Sequence, residues 1–533
     1  MTGADLLVET LRTHDVKTIF TLSGNQILSI YDATIDRGVG LLHTRHEAAA
    51  THMADGWGRL TETPGVALVT AGPGHLNAVS ALYSALMAES PMVLLSGHSP
   101  RAQRGRGAFQ ELDQAGAARP IVKAAWVAES AEGLGNDLAR AFALASSGRP
   151  GPVHLSLPGD LLETKLTQSL DAPLPTRLEA MRLPDAAVRR TLDLLAEAKR
   201  PLIVLGPAMA RARRRRTVDR LTELTGIPAL VMESPRGVND PALHGASGSL
   251  PEADVVLLLG KAADYSVRFG QPPAFAAGAR IIRIDVDAES SDRFALSAAA
   301  DPAIAAEQLA KAARERAWQR SGWADEVAHA RATVPTEWAA LAEESRSPIH
   351  PLRVCAALRP LVHDRAVLVM DGGEFGQWAQ AGLDAETRLI NGLSGSIGSA
   401  IPLALAAQVA HPDRRVVAVL GDGTYGFHAM EMDTAVRYRL PIVTVVGNDA
   451  RWNAEHQLQL QHYGEGRAVA CELLPTRYDR LVEALGGHGE LVERADDLEP
   501  ALARAFGSGK PACVNVLIDG LAAPTYQTAR GAH

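Results

Sequence analysis

Short unbroken apolar runs alternate along the chain with longer stretches whose apolar positions return at helical spacing. Strands buried on both faces read as continuous rather than alternating apolar sequence, so this pattern predicts parallel sheets built from βαβ units. Strands are predicted over 65–70, 92–96, 153–157, 202–205, 255–259, 281–286, 366–370, 416–420, 442–446 and 513–518. These are too many for one sheet. The pattern lapses twice, over 164–184, which carries Pro173, Pro175 and Pro184, and at the polar run from Glu343 to Pro348. The expected fold class is therefore α/β with three domains, each a mostly parallel sheet flanked by helices. Their expected extents are 1–165, 185–335 and 348–520, with a flexible tail over 521–533. The middle domain, opening with PLIVLGPAMARARRR, reads as Rossmann-like.

Composition narrows the classes. With 47% hydrophobic and 21% charged residues in 533, the chain is neither disordered nor fibrous. A net charge of −8 gives no general attraction for nucleic acid or anionic lipid, so neither is expected as a partner. The one basic run, Arg211 to Arg216, reads as a solvated helix face. The three cysteines, Cys355, Cys471 and Cys513, lie too far apart for zinc spacing and suit a reducing cytoplasm. No apolar stretch reaches the ~18 residues that span a bilayer, and Met1 to Glu9 lacks the features of a secretory signal.

Candidate chemistry concentrates at strand ends, where open α/β sheets bind ligands. The most informative stretch is GDGTYGFHAMEMDTAVRYRLPIVTVVGNDARWN, from Gly421 to Asn453. One buried strand delivers Asp422, a helix follows, and a second strand delivers Asn448 and Asp449 beside it. Two adjacent strands thus present oxygen ligands to one point, as a hard cation such as Mg2+ requires. The helix beginning near Thr424 adds N–H donors and a positive dipole end suited to phosphate.

This arrangement resembles the thiamine-diphosphate motif of the family containing acetolactate synthase, benzaldehyde lyase, oxalyl-CoA decarboxylase and 2-hydroxyacyl-CoA lyase. The resemblance implies that Asp422, Asp449 and the Arg451 carbonyl hold Mg2+, with Gly421, Gly423 and Thr424 at the diphosphate. Asp449 departs from the family, where Asn is usual. The segment LLHTRHEAAATHMADGWGRL matches the family stretch that carries the catalytic glutamate, implying that Glu47 hydrogen-bonds the cofactor pyrimidine and promotes its activation. Gly72 in the GPG turn, Gln110 in GAFQELDQ, and Ser396 and Ile397 in NGLSGSIGSAIPLALAA also fall on family segments, as do Glu374 and Phe375 in the turn after Asp371. Ile397 takes the place of the apolar wedge that bends the cofactor, and Trp452 would wall the acyl pocket. The resemblance also implies active sites shared between subunits, hence a homodimer at least and commonly a tetramer. It leaves the central domain with FAD, with ADP or the CoA nucleotide, or with none.

The substrate side is mixed. Acetolactate synthases carry a Pro-Gly-Gly turn where this chain has Leu22 to Gln26, and a Trp at the position of Leu458. Gln26 stands where benzaldehyde lyase has a His. Gln26, His75, Glu455 and His456 are the candidates for second-step proton transfer, with Gln110 near the reacting centre; His46 and His428 read as structural. The expected function is a carbon–carbon lyase or carboligase acting on a small-molecule 2-keto acid, 2-hydroxy ketone or 2-hydroxyacyl-CoA through a thiamine-bound enamine. The alternatives are an acetolactate-synthase-like transferase and a catalytically silent cofactor-binding scaffold.

Overall fold

A computed structural model describes residues 1–525 apart from 168–170, 177, 289–290 and 363–364. Its strands form three sheets in which every strand pair is parallel. The first contains β1 (Thr18–Thr21), β2 (Gly40–His43), β3 (Gly65–Val69), β4 (Met92–His98), β5 (Ala124–Val127) and β6 (Pro152–Pro158). The central sheet contains β7 (Pro201–Leu205), β8 (Ala229–Val231), β9 (Val255–Leu259), β10 (Arg280–Asp285) and β11 (Leu296–Ala299). The third contains β12 (Ala366–Met370), β13 (Thr387–Ile390), β14 (Arg415–Gly421), β15 (Val443–Asn448), β16 (His488–Val492) and β17 (Ala512–Leu517). The three-domain α/β class expected from the sequence is the one observed.

The first sheet runs β2-β1-β3-β4-β6-β5 and the third β13-β12-β14-β15-β17-β16, which is the same order. The central sheet, β11-β10-β9-β7-β8, repeats it without a sixth strand. Each sheet reverses direction between its first and third strands, so each has a switch-point crevice at the carboxyl ends.

The ten predicted strands are all interior. Six of the seven missed, β2, β5, β8, β11, β13 and β16, are the sheet edges, and none of those is wholly buried. The seventh, β1, is interior but reads TIFT; its buried Thr21 hydroxyl donates to the Leu68 carbonyl (2.7 Å), satisfying a polar group inside the sheet.

The first and third domains share one continuous apolar core. The helix Glu47–Thr61 lies against the helix Ala400–Ala410, close enough that a Cβ on Gly56 would lie 3.0 Å from Ala406 Cβ. The basic run only partly follows its expected role. Arg213 and Arg216 are exposed, but Arg214 pairs with Glu62 (3.5 Å) and Arg211 donates to the Ala88 carbonyl. Among the described residues no helix is long and apolar enough to cross a membrane, and all three cysteines are buried and unpaired.

Candidate active site

Register builds the third-domain half. Gly421 of β14 lies opposite Gly447 of β15, so Asp422 and Asn448 leave their strands side by side and Asp449 follows at once. Asn448 fixes the turn by donating to the Thr476 carbonyl (3.0 Å) and to Asn515 Oδ1 (3.1 Å). The loop beyond it is pinned by Leu473 N–H to the Ala450 carbonyl and by Trp452 N–H to the Cys471 carbonyl, both 2.7 Å. Ala450 sits at φ 54, in the left-handed region, which turns the chain sharply enough to bring Arg451 and Trp452 back over the sheet end.

Asp422 and Asp449 are in side-chain contact. Burial foremost, and then the Asp449 charge, raises the Asp422 carboxyl above its ordinary range; burial likewise raises Asp449. Asp422 Oδ2 is buried with no hydrogen-bond partner. Two carboxylates at ~4 Å repel by about 4 kcal/mol at an effective dielectric of ~20, so a proton or a cation must lie between them. The donor set is all oxygen, which fits a hard divalent cation. Among the described residues no third His, Cys, Asp or Glu joins the pair. Further oxygens would have to come from a backbone carbonyl such as that of Arg451, and from the ligand itself.

The helix Asp422–His428 starts at this point with no side-chain cap from Gly421. Thr424 is tied locally, its hydroxyl donating to the Gly421 carbonyl (3.0 Å). Gly423 is required by Trp452, whose ring would lie 2.8 Å from a Cβ there. Asp371 at the end of β12 accepts N–H groups from Gly372 (2.8 Å), Gly398 (3.0 Å) and Ala400 (3.1 Å), and so locks the loop bearing Ser396 and Ile397. His428 Nδ1 meets the Gly398 carbonyl at 2.7 Å and secures the same loop, the structural role expected of it. Ile397 is half-exposed and belongs to none of the core clusters. Its Cγ2 lies where a Gly372 Cβ would make contact at 2.9 Å, which leaves its outer face available.

Two residues expected at the cofactor have other work for their side chains. Phe375 packs in the core under β15, 2.4 Å from where a Gly447 Cβ would stand. Glu374 accepts the Ala523 N–H and lies 3.8 Å from Arg236. Leu521 and Ala523, from the start of the expected flexible tail, pack against the cluster containing Trp378, while 526–533 lie outside the described residues. Glu455 is exposed and His456 half-buried on the helix Asn453–Tyr463.

The first-domain half is mostly neutral. Glu47 opens its helix with His46 as N-cap, the His46 ring accepting the Ala48 N–H. Its Oε2 accepts from Asn77 (3.1 Å), and its Oε1 faces Gly74, where a Cβ would come within 3.2 Å. Gly72 at φ 56 makes the turn after β3; a Cβ there would meet the Gln110 carbonyl at 2.7 Å, and its N–H donates to Gln114 (2.9 Å). Gln26 and Gln110, far apart in sequence, are joined by an amide hydrogen bond of 2.9 Å, and Gln26 also takes the Thr70 hydroxyl. His75 must be corrected as a proton-transfer candidate. It is fully buried against Ser96 Oγ (2.9 Å) and the His154 ring, and burial pushes it down to about 4, so it is neutral and walled off.

Asn77 was not singled out from sequence, and Asp371 was noted only as part of a Gly-rich turn, without a role. Asn77 had a signal, a polar residue in the apolar helix directly after the GPG turn; for Asp371 it was an acid closing a wholly apolar strand. Among the described residues no hydrogen bond, ion pair or ring contact links Glu47, Gln26 or Gln110 to Asp422, Asp449 or Ile397.

Two switch points of equivalent strand order thus each release acidic side chains at the ends of a parallel sheet. Models of the thiamine pyrophosphate enzyme N-terminal TPP-binding, central and C-terminal TPP-binding domains match residues 1–117, 188–309 and 371–516. The chain belongs to this thiamine pyrophosphate enzyme family. It is 37% identical over 97% of its length to the acetolactate synthase large subunit IlvG of Mycobacterium tuberculosis, covering 96% of that protein. It is 30% identical, again over 97% of its length, to 2-hydroxyacyl-CoA lyase of Oryza sativa subsp. japonica (95% of that protein) and to human 2-hydroxyacyl-CoA lyase 2 (90%).

Proposed function

We propose that the protein is a thiamine-diphosphate- and Mg2+-dependent carbon–carbon lyase or carboligase acting on a 2-keto acid, 2-hydroxy ketone or 2-hydroxyacyl-CoA. The principal support is the buried Asp422–Asp449 pair with its unpartnered oxygen, an all-oxygen grouping whose mutual repulsion a divalent cation would relieve and through which an anionic ligand would be held. When bound, thiamine diphosphate supplies the carbon nucleophile and electron sink for bond cleavage beside a carbonyl. Glu47 keeps one oxygen on Asn77 and offers the other to hold a proton at the pyrimidine ring. Gln26 and Gln110 hold each other in place as neutral amides. They can orient a substrate oxygen but cannot serve as a base, which favours a reaction whose second step needs none from that wall. This reading also takes each full site to lie between two copies of the chain, as the family resemblance implies, with Glu47 from one and Asp422 and Asp449 from the other.

No dinucleotide is assigned to the central domain. Glu89 of the first domain accepts the Ala208 N–H (2.8 Å) at the turn after β7, where a parallel sheet takes a phosphate, and Pro207 removes a further donor. Arg149 bridges Glu89 and Asp285 across the same crevice. These residues do not fit the pyrophosphate of FAD, ADP or CoA.

A second function, an acetolactate-synthase-like transferase, is favoured by the 37% identity to proteins of that name. The two are separated by incubating the protein, ThDP and MgCl2 with pyruvate alone and with a 2-hydroxyacyl-CoA, then analysing products by mass spectrometry. Aldehyde release or cross-ligation with an aldehyde is expected. Acetolactate from pyruvate as the sole product would establish the transferase, and cofactor binding without turnover on any substrate would establish a scaffold.

A further inference from the structure

The helix Gly373–Gly382 starts beside the third-domain half-site and ends about 14 Å further on at 1.5 Å per residue. At that far end lies a crevice of about 530 Å3, between the central domain at His244 and Arg331, the short helix Trp338–Glu343 and the third domain. The backbone of the helix end is satisfied. The Ala379 carbonyl takes the Leu383 N–H (2.9 Å), the Ala381 carbonyl meets His244 Nε2 (2.9 Å) and the Gly382 carbonyl accepts from Arg359 (3.2 Å). The side chain of Gln380 is not. Gln380 lines the crevice at 4% exposure, with Oε1 buried and without a hydrogen-bond partner. An acceptor so placed has lost its water and gained nothing in exchange.

The surroundings define what would satisfy it. Trp338, Leu352 and Leu383 make a buried apolar wall, which gives a water molecule beside Gln380 few of the further partners it needs. Trp338 belongs to a run of packed rings, 6.3 Å from His244 and 5.9 Å from Trp378, with His350 5.3 Å beyond. Such faces and edges favour another aromatic ring. The lining has three arginines and a single acid, the exposed Asp384. Arg388 pairs with Glu233 (2.8 Å), and the Asp384 charge bears on Arg331. Arg359 makes no ion pair among the described residues, and its bond to the Gly382 carbonyl puts it at the same helix turn as Gln380. A donor, an anion and an aromatic ring are thus called for together, in a volume within the roughly 300–1,000 Å3 of small-molecule sites.

We propose that this crevice binds a small aromatic α-amino acid, its carboxylate on Arg359, its ammonium group donating to Gln380 Oε1 and its ring against Trp338, Leu352 and Leu383. The site is separate from both thiamine half-sites and does not depend on the proposed reaction. Trp338 and Leu352 share a cluster with Leu521 and Ala523, and the Ala523 N–H is held by Glu374, so an occupant would bear on the tail beside the third-domain half-site.

The test is saturation-transfer NMR on the full-length protein in saturating ThDP and MgCl2, with L-phenylalanine and with 3-phenylpropanoate, the same molecule without its amine. Saturable transfer to the phenylalanine ring is expected, with 3-phenylpropanoate binding ~10-fold more weakly for want of a donor to Gln380. Gln380→Met should erase that preference, and Arg359→Met should weaken phenylalanine by ~10-fold or more. Arg216→Met, at an exposed residue of the central domain, should change neither. Absence of saturable transfer up to ~10 mM, about ten times the Kd of a millimolar site, would overturn the proposal. So would equal affinity for the two compounds, or full affinity in Arg359→Met. If Gln380→Met fails to fold by circular dichroism, Arg359→Met decides the outcome.

Discussion

The first and third domains have one strand order and opposite chemistry. In each, the loops after the first four strands carry the candidate site residues. After β1, β2, β3 and β4 come Gln26, Glu47, Gly72 and Gln110; after β12, β13, β14 and β15 come Asp371, Ile397, Asp422 and Asp449. Equivalent positions thus supply one carboxyl group and two amides in one domain, and three acids with an apolar side chain in the other. Topology fixes where a ligand can sit, and the residues released at the strand ends decide which half of it sits there.

The largest way to break this comparison is Glu47→Gln. It should leave cofactor binding intact and lower kcat by about 10²–10⁴-fold, measured alongside exchange of the cofactor C2 proton; near-normal turnover would remove Glu47 from its role. The matching test in the third domain sets Asp422→Asn against Asp449→Asn. The first should weaken ThDP and metal retention by at least the ~10–100-fold known for second-layer ligand partners, by metal analysis and fluorescence titration. The second should preserve or strengthen it, since it removes a repelling charge; equal loss in both would show that the two carboxylates are needed alike.

Acid should separate the domains as well. His75 lies at about 4 rather than 6.5, so the folded chain binds fewer protons than the unfolded one in that window. Its stability contribution is whole above pH 6.5 and is lost as pH falls towards 4. Asp371 is shifted the other way, from 3.8 up to about 6 by burial, and there the folded chain binds the additional proton, so stability is gained as pH falls from about 6. Hydrogen exchange corrected for intrinsic rates should therefore show β3, β4 and β6 losing protection before β12 and β14. The reverse order would contradict both assignments. The smallest effects are expected from the turn glycines. Gly74→Ala crowds Thr70 and Glu47 and should act on kcat, whereas Gly423→Ala displaces Trp452 and should act on KM, each at a stability cost of about 1–3 kcal/mol.

Ten of the eleven interior strands were legible because burial on both faces demands unbroken apolar sequence; β1, with Thr18 and Thr21, was not. Edge strands were not, because half-burial admits Arg388 into β13 and His488 and Glu490 into β16. At the site, Asp422 and Asp449 were readable because one βαβ unit holds both. The Gln26–Gln110 bond and the grip of Asp371 on Gly398 and Ala400 are tertiary facts, made by loops whose spacing along the chain carries no sign that they meet.

Those edge strands have a bearing on self-association. Three open sheets have six edge strands, whose outer rows of N–H and C=O groups can template the backbone of another molecule where nothing covers them; on β2, Tyr438 and Arg437 already take the His43 N–H and the Leu41 and His43 carbonyls. Here every row is short, and β8 spans only Ala229–Val231. In β13 and β16 the rows also carry side chains committed to Glu233 and Arg504. A molecule that opens locally thus presents little continuous backbone for a neighbour to zip onto, and lengthening β8 with β-branched residues would be the most direct way to make this enzyme prone to aggregate.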